Sequence, residues 1–435
     1  MKRLFAVIAI LIFSLTIGAT CCARSVTLHN MNNWKWLDSF GYSPGERLEV
    51  VAKHDQVMMT ERWPSTQVNP TALKMLNPNI KVFRWYSLCV KSMWDTDAAA
   101  VTPVSSATIT ANGWWLKDSG GNIIPSSSES DYVDVGAPGY KEALLTAMIG
   151  RLAGEGFDGV AFDHWHPYMY RDTQGAIGWK YASDYAWYET AWKPFITYIV
   201  TGLHNAGYLV YGNCAGEYGT SSSYYAYQRS IIDASIYENG AVGWRPEGAW
   251  LDGKTIEARI NALRRDPLAV WFAGNGITPT APEVEAKIVV NLAMWYIGLP
   301  DTPEMQAKRF FGYAWDWGVF WNDLFDFDIG TPAAGPNKLY TDKFFWVRRF
   351  TAGFVLLNYD AQPVTYVWTR PDEKWVDPGG TAYQGQVTLQ PHRALILKLV
   401  ETPAIEPTPT PEPTPEPTPQ PTNPWPPKGK GRGRK

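Results

Sequence analysis

The sequence predicts an α/β fold: a (β/α)8 TIM barrel followed by a small C-terminal antiparallel β-domain. Three observations carry that expectation. Short apolar runs recur along the chain with amphipathic or loop-like stretches between them, there are eight such runs, and helical periodicity stops after the last. Strands alternating with helices are the pattern of parallel β-α units, and eight of them close a barrel.

In order, the expected strands are DQVMMT at 55–60, IKVFRWYSL at 80–88, YVDVG at 132–136 and FDGVAFD at 157–163. They continue with YLVYGN at 208–213, IDASIYE at 232–238, PLAVWFA at 267–273 and FFGYAWDW at 310–317. Helices fit between several of them. KEALLTAMIGRLA at 141–153 carries Leu144, Leu145, Met148, Ile149 and Leu152 on one 3.6-residue stripe, with Gly154 and Gly156 as a stop. Segments 192–205 and 284–298 read the same way. Strands two and three are joined by a long excursion whose DSGGN turn at 118–122 predicts a hairpin over the barrel mouth. From 345 to 400 the text alternates without a helical stripe and is broken by Gly, Pro and Asp, which predicts the β-domain.

Both ends stand outside this plan. Met1, Lys2 and Arg3 precede an apolar run over 4–17 and small residues up to Ala23, the layout of a cleaved signal peptide over 1–23. The run falls short of the ~20 residues of a membrane span. Cys21 and Cys22 sit where a lipoprotein carries its acylated cysteine, but Gly18 stands where a lipobox has Leu, so free secretion is the expected outcome. Cys89 and Cys214 then remain, too few for a disulfide scaffold. The expected division is 24–344 for the barrel, 345–400 for the β-domain and 401–435 for a Pro/Thr-rich linker. The linker ends in KGKGRGRK, either a contact to an anionic cell wall or membrane or simply a solvated tail.

A net charge of −3 gives no basic field for nucleic acid. The 22 Trp and 23 Tyr suit stacking against sugar faces, and equally a large aromatic core.

Chemistry in a barrel belongs to the C-terminal ends of strands, and that sorts the acids. Strands four and six each begin with Asp and carry a second carboxylate five residues on: Asp158 and Asp163, Asp233 and Glu238. Side chains alternate, so Gly159, Ala161 and Asp163 share a face, as do Ala234, Ile236 and Glu238. Small residues suit the crowded axis, which turns Asp163 inward at the mouth. Two convergent carboxyl groups, one an acid and the other a nucleophile or base, are what glycosidic-bond hydrolysis requires. Either acid alone would more commonly be a salt bridge or a helix cap. Asp55 begins its strand and reads as structural.

Other residues bear on the same mouth. Glu217 follows strand five and Asp316 lies between Trp315 and Trp317; either is a rival acid/base or a ligand for sugar hydroxyls. Glu61 and Arg62 follow strand one. His164, Trp165 and His166 follow Asp163, and Tyr86, Asn213 and Trp271 complete the candidate substrate contacts.

FDGVAFDHWH, the IYENG of 236–240, and the stretch from DIGTPAAGP at 328–336 to RRFTAGFVLLNY together resemble glycoside hydrolases related to the α-galactosidase superfamily. The nearest resemblance is to the group called hypothetical glycoside hydrolase family fifteen, over about 50–400. The motifs are loose one by one and more specific in their order. The resemblance implies that Asp163, ending strand four, is the nucleophile, that Glu238 is the acid/base, and that the reaction retains configuration. It implies no particular sugar.

Two other readings compete. Asp163, His164 and His166 form a D-H-x-H set suited to a divalent metal. Neighbouring residues on a strand face opposite ways, however, and none of His29, His54, His204 and His392 ends an expected strand, so neither metal nor cofactor is expected. The chain could also be a carbohydrate-binding surface protein without activity.

Overall fold

A computed structural model describes residues 28–32, 44–59, 69–92, 102–118, 120–127, 130–163, 184–213, 223–237, 240–241, 249–266, 268–272, 282–306, 309–313 and 323–401. The expected signal peptide, and the proline-rich linker and basic tip from 402 onward, lie outside them; Glu401 ends a strand.

Eight parallel strands pair around a closed ring. In chain order they are Leu28–Asn32, Gln56–Met59, Lys81–Ser87, Gly159–Asp163, Leu209–Gly212, Ala234–Tyr237, Leu268–Phe272 and Arg309–Tyr313. Each pairs with its sequence neighbours in the ring, and Leu28–Asn32 closes it against Arg309–Tyr313. Two of these assignments correct the sequence reading. LHNMN at Leu28–Asn32 is the first strand; its three polar residues hide it from a search for apolar runs. YVDVG at 132–136 is not in the ring at all. Ser130–Tyr132 pairs antiparallel with Val90–Ser92 and with Pro125–Ser127, in a three-stranded sheet of its own. The polar–apolar alternation of 132–135 in the sequence suits an antiparallel strand, whereas the strands of a parallel ring are typically apolar on both faces. Two residues past the strand, the buried Asp134 turns the chain, its carboxylate accepting from Gly136 N at 3.1 Å and its carbonyl from Ala137 N at 2.9 Å.

The DSGGN turn does form a hairpin. Asp118 Oδ1 accepts from the backbone N of Gly120 and Asn122, each at 2.8 Å, and Gly121 takes φ 84°, open to glycine. This insertion begins directly after the third strand, at the C-terminal end of the ring.

The ring is filled by side chains. Met58, Phe83, Trp85, Ala161, Tyr211, Ala234 and Ile236 form one buried cluster, with the rings of Phe83 and Tyr211 stacked at 4.3 Å. Two large rings on neighbouring strands leave little room on the strand between them. A Cβ on Gly159 would stand 2.3 Å from the carbonyl oxygen of Leu209. Gly159→Ala is therefore expected to destabilise the protein by ~1–3 kcal/mol, the usual cost of overpacking, read as a fall in the midpoint of urea unfolding.

Helices cover the outside. Tyr140–Glu155 buries Tyr140, Leu144, Met148 and Leu152, and ends at Gly156, whose φ of 79° places it in the left-handed C-terminal position. Lys193–Asn205 buries Phe195, Ile196, Ile199, Val200 and Leu203. Together they pack a core of Trp and Tyr rings with the outward faces of the strands. No helix among the described residues is long and apolar enough to cross a membrane.

After the ring, strands Asn337–Lys338, Phe345–Arg349, Gly353–Asn358, Arg393–Glu401, Lys374–Val376 and Ala382–Tyr383 form one antiparallel sheet, and Val364–Val367 pairs with Gln386–Leu389. One face of the larger sheet packs Phe345, Phe354, Trp375 and Leu397 on Val364, Trp368 and Leu389. The other brings Val355, Leu357 and Ile396 against Trp295 and Tyr296 of the Pro282–Gly298 helix. Arg348 locks that contact. Its buried guanidinium donates to the carbonyls of Tyr296 at 3.1 Å, Ile297 at 3.0 Å and Leu299, and pairs with Asp301 at 2.8 Å. The helix's terminal carbonyls thereby gain partners. Burial lowers the Arg348 pKa to about 10, against the raising effect of Asp301.

Candidate active site

The strand-start acids and the strand-end acid separate by what they touch. Asp158 Oδ2 accepts from Val82 N at 2.9 Å and pairs with Lys74 at 3.0 Å. Asp233 Oδ2 accepts from Val210 N at 2.8 Å and lies 3.0 Å from His204 Nε2. Each staples the start of its strand to a neighbouring one, which is structural work.

Asp163 is the last residue of the fourth ring strand. Its register partner on the third strand is Ser87, as Ala161 is partnered by Trp85 and Gly159 by Phe83. Phe83, Trp85 and Ala161 fill the ring, so Asp163 continues the lining face one layer above the aromatic plug. Asn213, immediately after the fifth strand, donates from its side-chain Nδ2 to Asp163 Oδ1 at 3.2 Å. Its backbone N bonds to Phe162 O at 2.8 Å, which sets the residue beside Asp163. The carboxylate is half-buried.

Behind it lies Cys89, whose carbonyl accepts from Val133 N of the insertion at 2.9 Å. Burial pushes the Cys89 thiol up to about 12, and the negative charge of Asp163 adds to the effect. Such a thiol stays protonated and is no nucleophile at neutral pH. Tyr140 reaches the same corner, its hydroxyl donating to Leu88 O at 3.3 Å. Below, Tyr211 in the plug hydrogen-bonds Gln56, and burial raises its phenol pKa. The carboxylate therefore stands over a packed floor at the open end of the ring. It stands at the strand end where barrel chemistry is done.

Among the described candidate contacts, Asn213 is brought against Asp163. Tyr86 points the other way. It is 1 % exposed, in the layer between strands and helices, and so is not part of the mouth. Trp271 belongs to the seventh strand, where its backbone is in register with Gly312. Glu238 follows Tyr237, the last residue of the sixth strand, and lies outside the described residues. So do Glu61, Arg62, His164, Trp165, His166, Glu217, Trp315 and Asp316. Among the described residues no group of three His, Cys, Asp or Glu side chains is arranged to hold a metal. Ser87 was not singled out from the sequence. Its parity with Phe83 and Trp85 was the available signal for its inward position.

No protein-family model and no curated protein sequence matches this chain. The similarity to hypothetical family fifteen therefore rests on motif order alone. Solved structures do resemble it, at low identity. The glycoside hydrolase domain of PelA from Pseudomonas aeruginosa is 14% identical over 68% of this chain and 97% of that one, with a TM-score of 0.39. A variant of the GH36 α-galactosidase AgaA from Geobacillus stearothermophilus, in complex with 1-deoxygalactonojirimycin, is 11% identical over 87% and 56%, with a TM-score of 0.45. The noncanonic maltogenic α-amylase AmyB from Thermotoga neapolitana is 13% identical over 86% and 99%, with a TM-score of 0.46. These neighbours are glycoside hydrolases. At such identities and TM-scores they decide neither the family nor the reaction of this chain, which rest on its own residues.

Proposed function

We propose that this chain is a secreted (β/α)8-barrel glycoside hydrolase. It cleaves a glycosidic bond in an oligo- or polysaccharide with retention of configuration, Asp163 acting as nucleophile and Glu238 as general acid/base. One observation carries the reading: Asp163 ends the fourth strand on the face that lines the ring, above a packed aromatic floor, with Asn213 donating to its carboxylate.

In the first step Asp163 Oδ attacks the anomeric carbon while the Glu238 carboxyl gives its proton to the departing glycosidic oxygen. In the second, Glu238, now a carboxylate, takes a proton from water. The water oxygen displaces Asp163, and both residues return to their starting states. Asn213 has a definite part in this cycle. Its N–H keeps the carboxylate oriented for attack. His164, Trp165, His166, Glu61, Arg62, Glu217, Trp271, Trp315 and Asp316 remain candidate contacts to the sugar.

Release of new reducing ends from a panel of polysaccharides by the wild-type protein, and none from Asp163→Asn, tests the assignment. Asn213→Ala should lower kcat by roughly 10–100-fold as the nucleophile loses its orientation, and should lower the melting temperature by only a few degrees, because a hydrogen bond to a charged group contributes ~1.5–3 kcal/mol to folding. An unaltered kcat would remove Asn213 from the positioning role. Secretion has its own check. N-terminal sequencing of exported protein should begin near Arg24, and an intact Met1 on exported material would sink it.

A further inference from the structure

The Tyr140–Glu155 and Lys193–Asn205 helices, with the Ser223–Ile231 helix beyond them, frame an outer groove of about 750 Å3. That is within the ~300–1,000 Å3 range of clefts that hold small ligands. Its base is set by Gly202. A Cβ there would stand 2.2 Å from Leu145 Cδ2, so the two helices pack closely at this point and a larger residue at 202 would displace the Leu145 side chain.

The groove repeats one arrangement. Lys141 Nζ stands 4.9 Å from the ring centre of Tyr198, and Lys193 Nζ stands 5.1 Å from that of Tyr227. Tyr198 is 38% exposed, one of the few large apolar side chains at the surface, and Tyr227 is held by a hydrogen bond between its hydroxyl and that of Thr197 at 2.5 Å. Thr201 and Asn205 add a hydroxyl and an amide further along. Among the described residues of the lining Glu189 is the acid, 3.2 Å from Lys193, and Lys141 has Glu142 beside it at 3.9 Å; these are solvent-screened pairs that leave both ammonium groups at the groove. Lys141 is the second residue of its helix, and helices on a parallel barrel run opposite to the strands, so it stands toward the end at which Asp163 lies. Lys193 lies further down the wall, within a helical run that begins at Asp184.

We propose that this groove is a second saccharide site, binding a stretch of carboxylate-bearing polysaccharide that extends down the outer wall from the mouth. A uronic acid residue presents an apolar ring face together with a carboxylate, and each lysine–tyrosine pair offers a ring and an ammonium side by side. Lys141 and Lys193 meet carboxylates, Tyr198 meets a sugar face, and Thr201 and Asn205 bond hydroxyls. The choice of a saccharide rests on the glycoside hydrolase reading; the choice of an acidic one rests on the lysines.

Affinity electrophoresis of the full chain in gels containing polygalacturonate, with dextran as the neutral polymer, tests it. The expected result is retardation by polygalacturonate and not by dextran. Tyr198→Ala, and Lys141→Gln combined with Lys193→Gln, should each raise the apparent Kd at least fivefold, whereas Tyr198→Phe should bind like wild type and Asp163→Asn should be retarded normally. Melting curves confirm that each variant is folded. The proposal is overturned by a wild-type chain that polygalacturonate does not retard, by equal retardation in dextran, or by groove variants that bind like wild type. Hydrolysis sensitive to Asp163→Asn without retardation would remove the groove and leave the enzyme. Retardation sensitive to Tyr198→Ala without any hydrolysis would do the opposite.

Discussion

Asp163→Asn is expected to abolish hydrolysis, lowering kcat on the order of 10⁴-fold or more, as removal of a covalent nucleophile does elsewhere, while the protein melts at nearly its normal temperature. The two expectations have separate causes. Asparagine has the shape of aspartate, and its amide oxygen still accepts the bond from Asn213 Nδ2, now made to Asp163 Oδ1 at 3.2 Å. Nothing below it changes, because Ala161, Trp85 and Tyr211 pack without it. The loss is chemical. An amide does not displace the leaving group, so no glycosyl-enzyme forms, and a small external anion such as azide should partly restore turnover by attacking in its place. The restored product should then carry the anion on the face opposite to that of the normal product. Full activity in Asp163→Asn would overturn the assignment and make Glu217 or Asp316 the acids to test. Full activity in both Asp163→Asn and Glu238→Gln, with loss on chelation, would favour a metal held around His164 and His166.

The place of Asp163 at the end of the fourth strand was legible in the sequence because two different errors cancelled. LHNMN at Leu28–Asn32 is too polar to register as a barrel strand, and its membership is decided by pairing with Arg309–Tyr313 and Gln56–Met59, which no local pattern encodes. YVDVG at 132–136 has strand chemistry but belongs to an inserted sheet, and only its antiparallel partners tell the two apart. One strand was missed before Asp163 and one was added, so FDGVAFD kept fourth place. The parity argument was sturdier, since it needs only the sizes of neighbours. A Cβ on Gly159 would run into the Leu209 backbone, and Ala161 is packed among Phe83, Trp85 and Tyr211 inside the ring. The same parity, applied to IKVFRWYSL, sends Tyr86 outward with Val82 and Arg84, and a tyrosine near a strand end drew attention for its chemistry when its position assigned it to the core. Asn213 became persuasive through one contact across two strands, a relation fixed by barrel register rather than by spacing along the chain.

Glu238→Gln should give a smaller loss, about 10²–10⁴-fold on ordinary glycosides, the usual contribution of a positioned general acid, and one that depends on the substrate. The sixth strand ends at Tyr237, and Ala234 and Ile236 pack inside the ring, so alternation from those two residues is the ground for assigning Glu238 to the mouth. A proton donor matters in proportion to the basicity of the group that leaves. An alkoxide departing from an oligosaccharide needs the proton; an activated aryloxide such as dinitrophenolate departs without it. On aryl glycosides the variant should therefore still form the glycosyl-enzyme at near wild-type rate and then stall, because Glu238 is also the base that activates the incoming water. The visible signature is a burst of one equivalent of phenol per enzyme followed by slow turnover, with added azide removing the slow phase. The pH profile should change in the same sense. Wild-type kcat/KM falls on the alkaline side as the acid loses its proton, and glutamine has no such proton to lose, so that limb should flatten. Retention also predicts Asp163 and Glu238 carboxyl groups about 5–5.5 Å apart, whereas about 6.5–9.5 Å would go with inversion. An equal loss on activated and unactivated substrates, with no burst, would take the acid/base role away from Glu238.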